Sequence, residues 1–104
     1  MMRIKQITED HIFFTNGDTI TYDYIQDCCE HNYADFEQID DIAYQFEFEE
    51  PIAFEPVYGA GFRFGNPYKM IFVPCYSVQN GLYSNEVDIF YNGHLVLTID
   101  AQGA

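Results

Sequence analysis

The sequence has very few basic residues. It contains 4 Lys and Arg against 17 Asp and Glu, which gives a formal net charge of −13 over 104 residues. Between Gln6 and Phe62 there are fourteen acidic residues and no Lys or Arg. A surface of this charge repels phosphate groups, so it argues against direct binding of nucleic acid and of anionic membranes. It favours a basic protein surface or divalent cations as partners, or it serves only as a solvated surface.

Tryptophan is absent, and the 3 cysteines are too few and odd in number for a secreted disulfide framework. No apolar run is long enough to cross a membrane, and the first residues lack the apolar stretch of a signal peptide. We therefore expect a cytoplasmic protein without membrane contact. The length suits a single domain, residues 1–104, and 48% hydrophobic residues are enough to build a core.

Two Asn-Gly pairs, Asn16-Gly17 and Asn92-Gly93, each separate two runs of alternating apolar residues. Asn-Gly favours the tight turn of a β-hairpin because both residues tolerate positive φ angles. In the second hairpin the alternation places three apolar side chains on one face, those of Leu95, Leu97 and Ile99. The predicted arms are, in chain order, residues 11–15 with 19–25 and residues 86–91 with 94–100.

Three further segments have patterns typical of strands or connections. Residues 44–49 alternate aromatic with polar side chains, which predicts a half-buried strand. Residues 69–78 are apolar on both faces, which predicts a central strand with a bulge or a loss of pairing at Pro74. Residues 51–67 hold three of the 4 prolines and predict an irregular connection or a ragged hairpin.

Residues 27–39 break the period of two and predict the one helix of the fold. Apolar side chains recur there at helical spacing, in Cys29, Tyr33, Phe36 and Ile39. Asp27 suits the N-cap, and Glu30 three residues later completes a capping-box pattern. The whole pattern predicts an α+β domain, in which an antiparallel β-sheet of about six or seven strands carries one short helix on a face.

The stretch DCCEH, residues 27–31, is the strongest candidate for a chemical site. Cys28 and His31 are three residues apart and could reach one metal ion, with Cys75 as a further ligand. Adjacent cysteines on a helix point about 100° apart, so Cys28 and Cys29 cannot easily share a tetrahedral ion. A reactive thiolate is opposed by the flanking carboxylates, which raise the pKa of a thiol. A structural role fits best, in which Cys29 packs on the sheet.

Two motifs together resemble a known family. Asp27-Cys28-Cys29-Glu30 follows a hairpin strand with the sequence G-D-T-I-T-Y, and residues 80–87 read N-G-L-Y-S-N-E-V. In both places the chain is similar to a family of small gut-bacterial and phage proteins of unknown function, which carry D-C-C-[E/S] and S-N-G-Y-Y motifs. The resemblance implies a phage or mobile-element context. We assign a structural role to the motif residues, which are Asp27, Cys28, Cys29, Glu30, Asn80, Gly81 and Tyr83.

The residue patterns predict no coherent catalytic constellation and no cofactor. We expect a non-enzymatic interaction or accessory domain that binds a basic protein surface, in the manner of an inhibitor or a DNA mimic. Two alternatives stay open. One is a metal- or thiol-dependent enzyme that uses Cys28, Cys29 and His31. The other is a self-associating structural protein that buries an edge strand or an aromatic face in a homo-oligomer.

Overall fold

A computed structural model describes residues 1–23, 31–78 and 86–103. These residues form mainly β-strands, with one 3-10 helix and one short α-helix. The elements are, in chain order, β1 (Ile4–Ile7), β2 (His11–Phe14), β3 (Thr19–Asp23), β4 (His31–Ala34), the 3-10 helix (Phe36–Ile39), α1 (Asp40–Ala43), β5 (Ala53–Val57), β6 (Gly61–Asn66), β7 (Lys69–Val78), β8 (Glu86–Tyr91), β9 (His94–Asp100) and β10 (Gln102–Gly103).

The strands form two five-stranded sheets. In the first sheet the order is β1-β2-β3-β8-β9, and all neighbours are antiparallel. In the second sheet β5, β6 and β7 are antiparallel, β4 pairs antiparallel with β7, and β10 runs parallel to β7. The predicted α+β class is confirmed, but the prediction of one sheet with six or seven strands is wrong. Two sheets form because each can bury its apolar face against the other.

One hydrophobic core lies between the sheets and takes side chains from both. Phe14 of β2 and Phe64 of β6 have ring centroids 6.3 Å apart, with nearly perpendicular planes. Phe54 of β5 and Tyr91 of β8 have ring centroids 5.6 Å apart. Phe48, which lies outside both sheets, contacts Phe14 and Phe64. Because aromatic rings remove large apolar areas from water, this cluster holds the two sheets together.

Both predicted Asn-Gly hairpins are confirmed. β2 pairs with β3, and β8 pairs with β9, in antiparallel register on either side of the two turns. In the second turn Asn92 has a φ of 52° and Gly93 a φ of 81°, which is the pair of positive angles that this type of turn requires. The β3–β8 pairing then joins the two hairpins into the first sheet.

A β-bulge in β9 changes the face of one predicted core residue. Ile89 is paired with Leu97, but the next residue, Phe90, is paired with Leu95, so Val96 is the extra residue. A bulge of one residue reverses the alternation of side chains beyond it. Leu95 is therefore 58% exposed, and the prediction that it shares the inner face with Leu97 and Ile99 is wrong.

Within the described residues, the predicted helix over residues 27–39 is wrong for residues 31–34, while residues 36–39 form a 3-10 helix whose Phe36 and Ile39 are buried. Residues 31–34 form β4, which pairs with β7 through Tyr33↔Tyr76 and Ala34↔Cys75. Asn32 and Ala34 are buried and Tyr33 is half-buried, which is the alternation of a strand and not part of a helical stripe with Phe36. Pairing with β7 satisfies the backbone of this segment, so the chain turns into a helix only after residue 35.

The predicted strand at residues 44–49 is also wrong, and of the aromatic side chains that the alternation places on its buried face, Phe48 is buried but Tyr44 is 40% exposed. Phe48 is fully buried, but its backbone pairs only with Met2, through an isolated bridge. The amide of Asn66 fixes the next residue, because its Nδ2 donates to the Glu49 carbonyl at 2.7 Å and its Oδ1 accepts from the Glu49 N–H at 3.0 Å. A side chain here satisfies the backbone groups that a neighbouring strand would otherwise satisfy.

Of the two alternatives for residues 51–67, the hairpin is confirmed. β5 and β6 pair over five positions, from Ala53↔Gly65 to Val57↔Gly61. β7 runs unbroken through Pro74, but its pairing with β6 ends there and its pairing with β4 begins at the next residue. The Pro74 carbonyl accepts a hydrogen bond from the Asp35 N–H at 2.9 Å. The proline therefore marks a change of partner strand and not a gap in β7.

Candidate binding site

Most residues of the two sequence motifs lie outside the described residues. These are Asp27, Cys28, Cys29, Glu30, Asn80, Gly81 and Tyr83. The strands on either side of the motifs meet at one end of the fold, because β3 pairs with β8 up to Asp23↔Asp88 and β4 pairs with β7 up to His31↔Val78. Asn32 joins the two sheets at this end, since its Nδ2 donates to the Glu86 carbonyl at 3.2 Å.

The described members of the proposed metal set are not neighbours in the sheet. His31 opens β4 opposite Val78, whereas Cys75 lies opposite Ala34, three pairs further along, which is about 10 Å at the usual strand rise. The Cys75 thiol is fully buried, and burial, followed by the charge of Asp35, raises its pKa to about 12. In the described part of the chain no group of three or more His, Cys, Asp and Glu side chains could hold a metal ion. The enzyme alternative that depends on Cys28 and Cys29 stays a prediction.

The opposite end of the first sheet carries a network of hydrogen bonds around Asp18. The two Asn-Gly turns meet here, because the Asn92 Oδ1 accepts from the Thr19 N–H at 2.9 Å. The Asp18 carboxylate accepts hydrogen bonds from the Tyr91 hydroxyl, from the Asn92 Nδ2 at 2.9 Å and from the Asn16 Nδ2 at 3.0 Å. The carboxylate is therefore held in one position by donors from both turns.

A second carboxylate lies beside Asp18. The Asn16 Nδ2 that donates to Asp18 also donates to the Glu50 Oε1 at 2.7 Å. The two acidic groups border a cavity of about 430 Å3, which we call the acidic pocket. It opens where β5 of the second sheet faces the β8–β9 turn of the first, and the extra residue of the β9 bulge, Val96, forms part of the wall. The pocket is lined by Asp18, Glu50, Pro51, Ile52, Phe54, Tyr91 and Val96.

The electrostatics of the acidic pocket keep its aspartate charged. Hydrogen bonds from Tyr91, Asn92 and Asn16 hold the pKa of Asp18 below its usual value, because they stabilise the ionised carboxylate. Burial, followed by the hydrogen bond to Asp18, raises the pKa of Tyr91 well above its usual value of 10.0. Asp18 is thus a poor proton acceptor near neutral pH, and Tyr91 a poor donor. This arrangement suits the binding of a cation better than it suits acid–base catalysis.

Three of the 4 basic side chains contact near neighbours elsewhere on the surface. Arg3 forms an ion pair with Glu47, and the Arg63 Nη2 lies 2.5 Å from the Glu55 Oε2. The Lys69 Nζ lies 4.8 Å from the ring centroid of Phe46. With 4 Lys and Arg against 17 Asp and Glu, these contacts leave the surface strongly acidic.

Sequence reasoning missed the acidic pocket. Asp18 and Glu50 are far apart in the chain, and the sequence pattern predicts a strand over residues 44–49, just before Glu50. The sequence Asn16-Gly17-Asp18 does place an acidic residue directly after the first turn. Asp18 reaches donors of the second turn, however, only when the two turns meet in the fold. The pairing of β3 with β8, which brings the turns together, has no local signature in the sequence.

Comparisons with protein families, with curated proteins and with solved structures find no match for this chain. The resemblance to gut-bacterial and phage proteins therefore stays a prediction. Among the described residues, no helix is both long enough and apolar enough to span a membrane.

Proposed function

We propose that this protein is a non-enzymatic binding domain whose acidic surface binds a basic segment of another protein. The acidic pocket carries the proposal, because it places two carboxylates beside an apolar wall. A lysine or arginine side chain matches this arrangement. Its aliphatic stem can pack along Phe54 and Val96, while its charged head meets Asp18 and Glu50.

The charge of the whole molecule supports the same kind of partner. A net charge of −13 creates a potential that attracts basic surfaces from a distance and repels nucleic acid. Many basic protein surfaces bind nucleic acid, so this domain would compete with it for such a partner. An inhibitor or DNA mimic of this kind is consistent with the phage or mobile-element context that the two sequence motifs imply.

Selection from a random peptide library tests the proposal even though the partner is unidentified. We expect selection at about 50 mM salt to enrich Lys and Arg, and we expect the Kd of the best peptide to weaken at least about tenfold at about 500 mM salt. Enrichment of neutral or acidic peptides, or a Kd that does not change with salt, would exclude a basic partner. Duplex DNA serves as the negative control for direct binding of nucleic acid.

A matched pair of variants localises the interaction to the pocket. Glu50→Gln removes one charge but keeps the Oε1 that accepts from Asn16, and Glu9→Gln removes one charge from an exposed site outside the pocket. A charge-assisted contact contributes about 1.5–3 kcal/mol, so Glu50→Gln should weaken the best peptide about tenfold or more. Glu9→Gln should weaken it less than about twofold. Equal losses from both variants would mean that general charge, and not the pocket, binds the peptide.

A further inference from the structure

The edges of the two sheets lie next to each other along one line of the surface. β9 is the last strand of the first sheet, and β5 is the last strand of the second. The two strands lie side by side, with β9 paired to β8 and β5 paired to β6 on their other sides. In the part of the chain that the structure describes, no ladder joins the two edges. We call the line between them the β5–β9 seam.

Two cavities lie along this seam. The acidic pocket is at one end, where Phe54 of β5 and Val96 of β9 form part of its lining. A second cavity of about 360 Å3, which we call the distal cavity, is at the other end and is lined by residues 56–58, residues 98–100 and Glu86. Residue numbers rise from the acidic pocket to the distal cavity on both strands. The two strands therefore run in the same direction, and the same pair of strands borders both cavities.

The distal cavity repeats the chemistry of the acidic pocket. Glu86 and Asp100 are both exposed and are direct cross-strand partners. Like charges directly opposite each other are unfavourable in a sheet, and a cation placed beside them removes the repulsion. Tyr58 adds an aromatic ring that is 93% exposed, and such rings attract lysine and arginine. The distal cavity therefore offers a second place for a basic side chain.

The distance between the cavities sets a spacing for two basic side chains. Val96 and Asp100 are four residues apart on β9, and Phe54 and Val57 are three residues apart on β5. At about 3.4 Å per residue the two cavities are separated by about 10–14 Å. An extended segment rises at the same rate, and its alternate side chains point to the same side. Two basic residues with three residues between them therefore match the two cavities.

The strand edges favour an extended segment over a helix. An edge strand presents backbone N–H and C=O groups that can pair with another extended chain, whereas the backbone groups of a helix bond to one another. β5 carries Pro56, which has no N–H to offer. β9 contains neither proline nor lysine, the residues that commonly protect an edge. Its bulge ends at Val96, so regular edge is left over residues 97–100, between the two cavities.

We infer, on the basis of the proposed function, that the β5–β9 seam binds an extended segment of the partner through two basic side chains, one in each cavity. Charge selects this occupant, because carboxylates lie at both ends of the seam, Asp18 and Glu50 at one and Glu86 and Asp100 at the other. A second copy of this chain, with a net charge of −13, would be repelled. Two contacts on one segment strengthen each other, because the first holds the second close to its cavity.

Peptides that differ only in the position of their lysines test the spacing. Three peptides of equal composition carry two lysines in a Gly, Ser and Thr background, with no residue, three residues or six residues between them. At about 50 mM salt the three-residue spacing should bind at least about tenfold more tightly than a single-lysine peptide and about fivefold more tightly than adjacent lysines. Equal affinities for all spacings would refute the inference. Tightest binding at six residues, which places both lysines on one face of a helix, would also refute it.

Variants separate this inference from the proposed function. Asp100→Asn should weaken the three-residue peptide about fivefold or more and change the single-lysine peptide by less than about twofold. It should not lower the Tm, because it removes a like-charge pair with Glu86. Glu50→Gln should weaken both peptides, and Glu9→Gln, which lies outside both cavities, should weaken neither by more than about twofold.

The two variants at the cavities give distinct outcomes. If Glu50→Gln weakens binding and Asp100→Asn does not, the acidic pocket binds the basic partner but the seam does not. If neither variant weakens binding, both the seam and the acidic pocket are excluded as the site.

Discussion

Gly61 offers a sharp test of the β6–β7 packing. An alanine Cβ at this position would lie 2.1 Å from the Val73 carbonyl oxygen and 2.9 Å from the Cys75 nitrogen. The Cys75 N–H donates to the Ala60 carbonyl at 3.0 Å, so the methyl group would force β7 away from the turn that leads into β6. Gly59, two residues earlier, also has a positive φ, but a methyl group there would have no atom within 4 Å, so this position isolates the effect of backbone strain.

The expected magnitudes of the two substitutions differ by a factor of about three or more. Gly59→Ala places a side chain at a φ of 70° and should lower the free energy of unfolding by about 1 kcal/mol. Gly61→Ala adds to a similar strain the loss of a backbone hydrogen bond and of close packing between two core strands. We expect a loss of at least about 3 kcal/mol. That is a large part of the total stability of a domain of this size.

Thermal and urea unfolding measure both variants. At about 4–8 °C per kcal/mol, Gly61→Ala should lower the Tm by at least about 12 °C, and Gly59→Ala by about one third as much. An unchanged urea m-value would show that both variants unfold by the same two-state transition. Equal losses in the two variants, or a loss below about 1 kcal/mol for Gly61→Ala, would refute the close approach of β6 and β7.

Three further outcomes follow from the core and the pocket. In a variant whose other two cysteines are replaced by serine, the buried Cys75 thiol, with its pKa raised to about 12, should resist a thiol reagent at pH 8 and react fully in denaturant. Because folding raises the pKa of Tyr91, this tyrosine ionises at a lower pH in the unfolded chain than in the folded one. The free energy of unfolding should therefore fall as the pH rises above 10.0, and it should fall less in the variant Tyr91→Phe. Leu95→Thr should change stability by less than about 0.5 kcal/mol, as judged by urea unfolding, whereas Ile99→Thr should lower it by more than about 1 kcal/mol.

The parts of the fold that could be predicted are those set by local turn chemistry. Asn16-Gly17 and Asn92-Gly93 each fix a short turn between adjacent segments, so both hairpins follow from the sequence alone. The division into two sheets could not be predicted, because it depends on the pairing of β3 with β8 and of β4 with β7. These partners are distant in the chain, and their apolar patterns would allow other neighbours.

The wrong predictions have particular physical causes. Tyr33 and Phe36 are spaced as on a helix, but Tyr33 lies on β4, which pairs with β7, and only Phe36 lies on the 3-10 helix that follows. At Phe48 the alternating pattern correctly indicates a buried side chain. The backbone of Phe48, however, pairs with Met2 through an isolated bridge, and the backbone of the next residue, Glu49, bonds to the Asn66 side chain instead of to a neighbouring strand. At Leu95 a single inserted residue, Val96, reverses the face, and the sequence carries no sign of the bulge.

The candidate site escaped prediction for a related reason. Asp18 and Glu50 approach each other because Asn16 bridges them and because Phe48 and Asn66 anchor the segment before Glu50. Each of these contacts depends on the final fold. The acidic character of the surface, in contrast, is a property of composition, and it could be recognised before any residue was placed.

The pairing of β3 with β8 has a consequence for how the chain acquires its structure. Asp23 must find Asp88 across most of the chain, and the whole second sheet except β10 lies between them in sequence. Long-range pairings of this kind slow folding, because the connecting loop loses much entropy before any contact forms. During synthesis the first hairpin has to wait, with one strand edge bare, until β8 leaves the ribosome. The acidic residues that crowd this early part of the chain would keep such nascent copies apart during the wait.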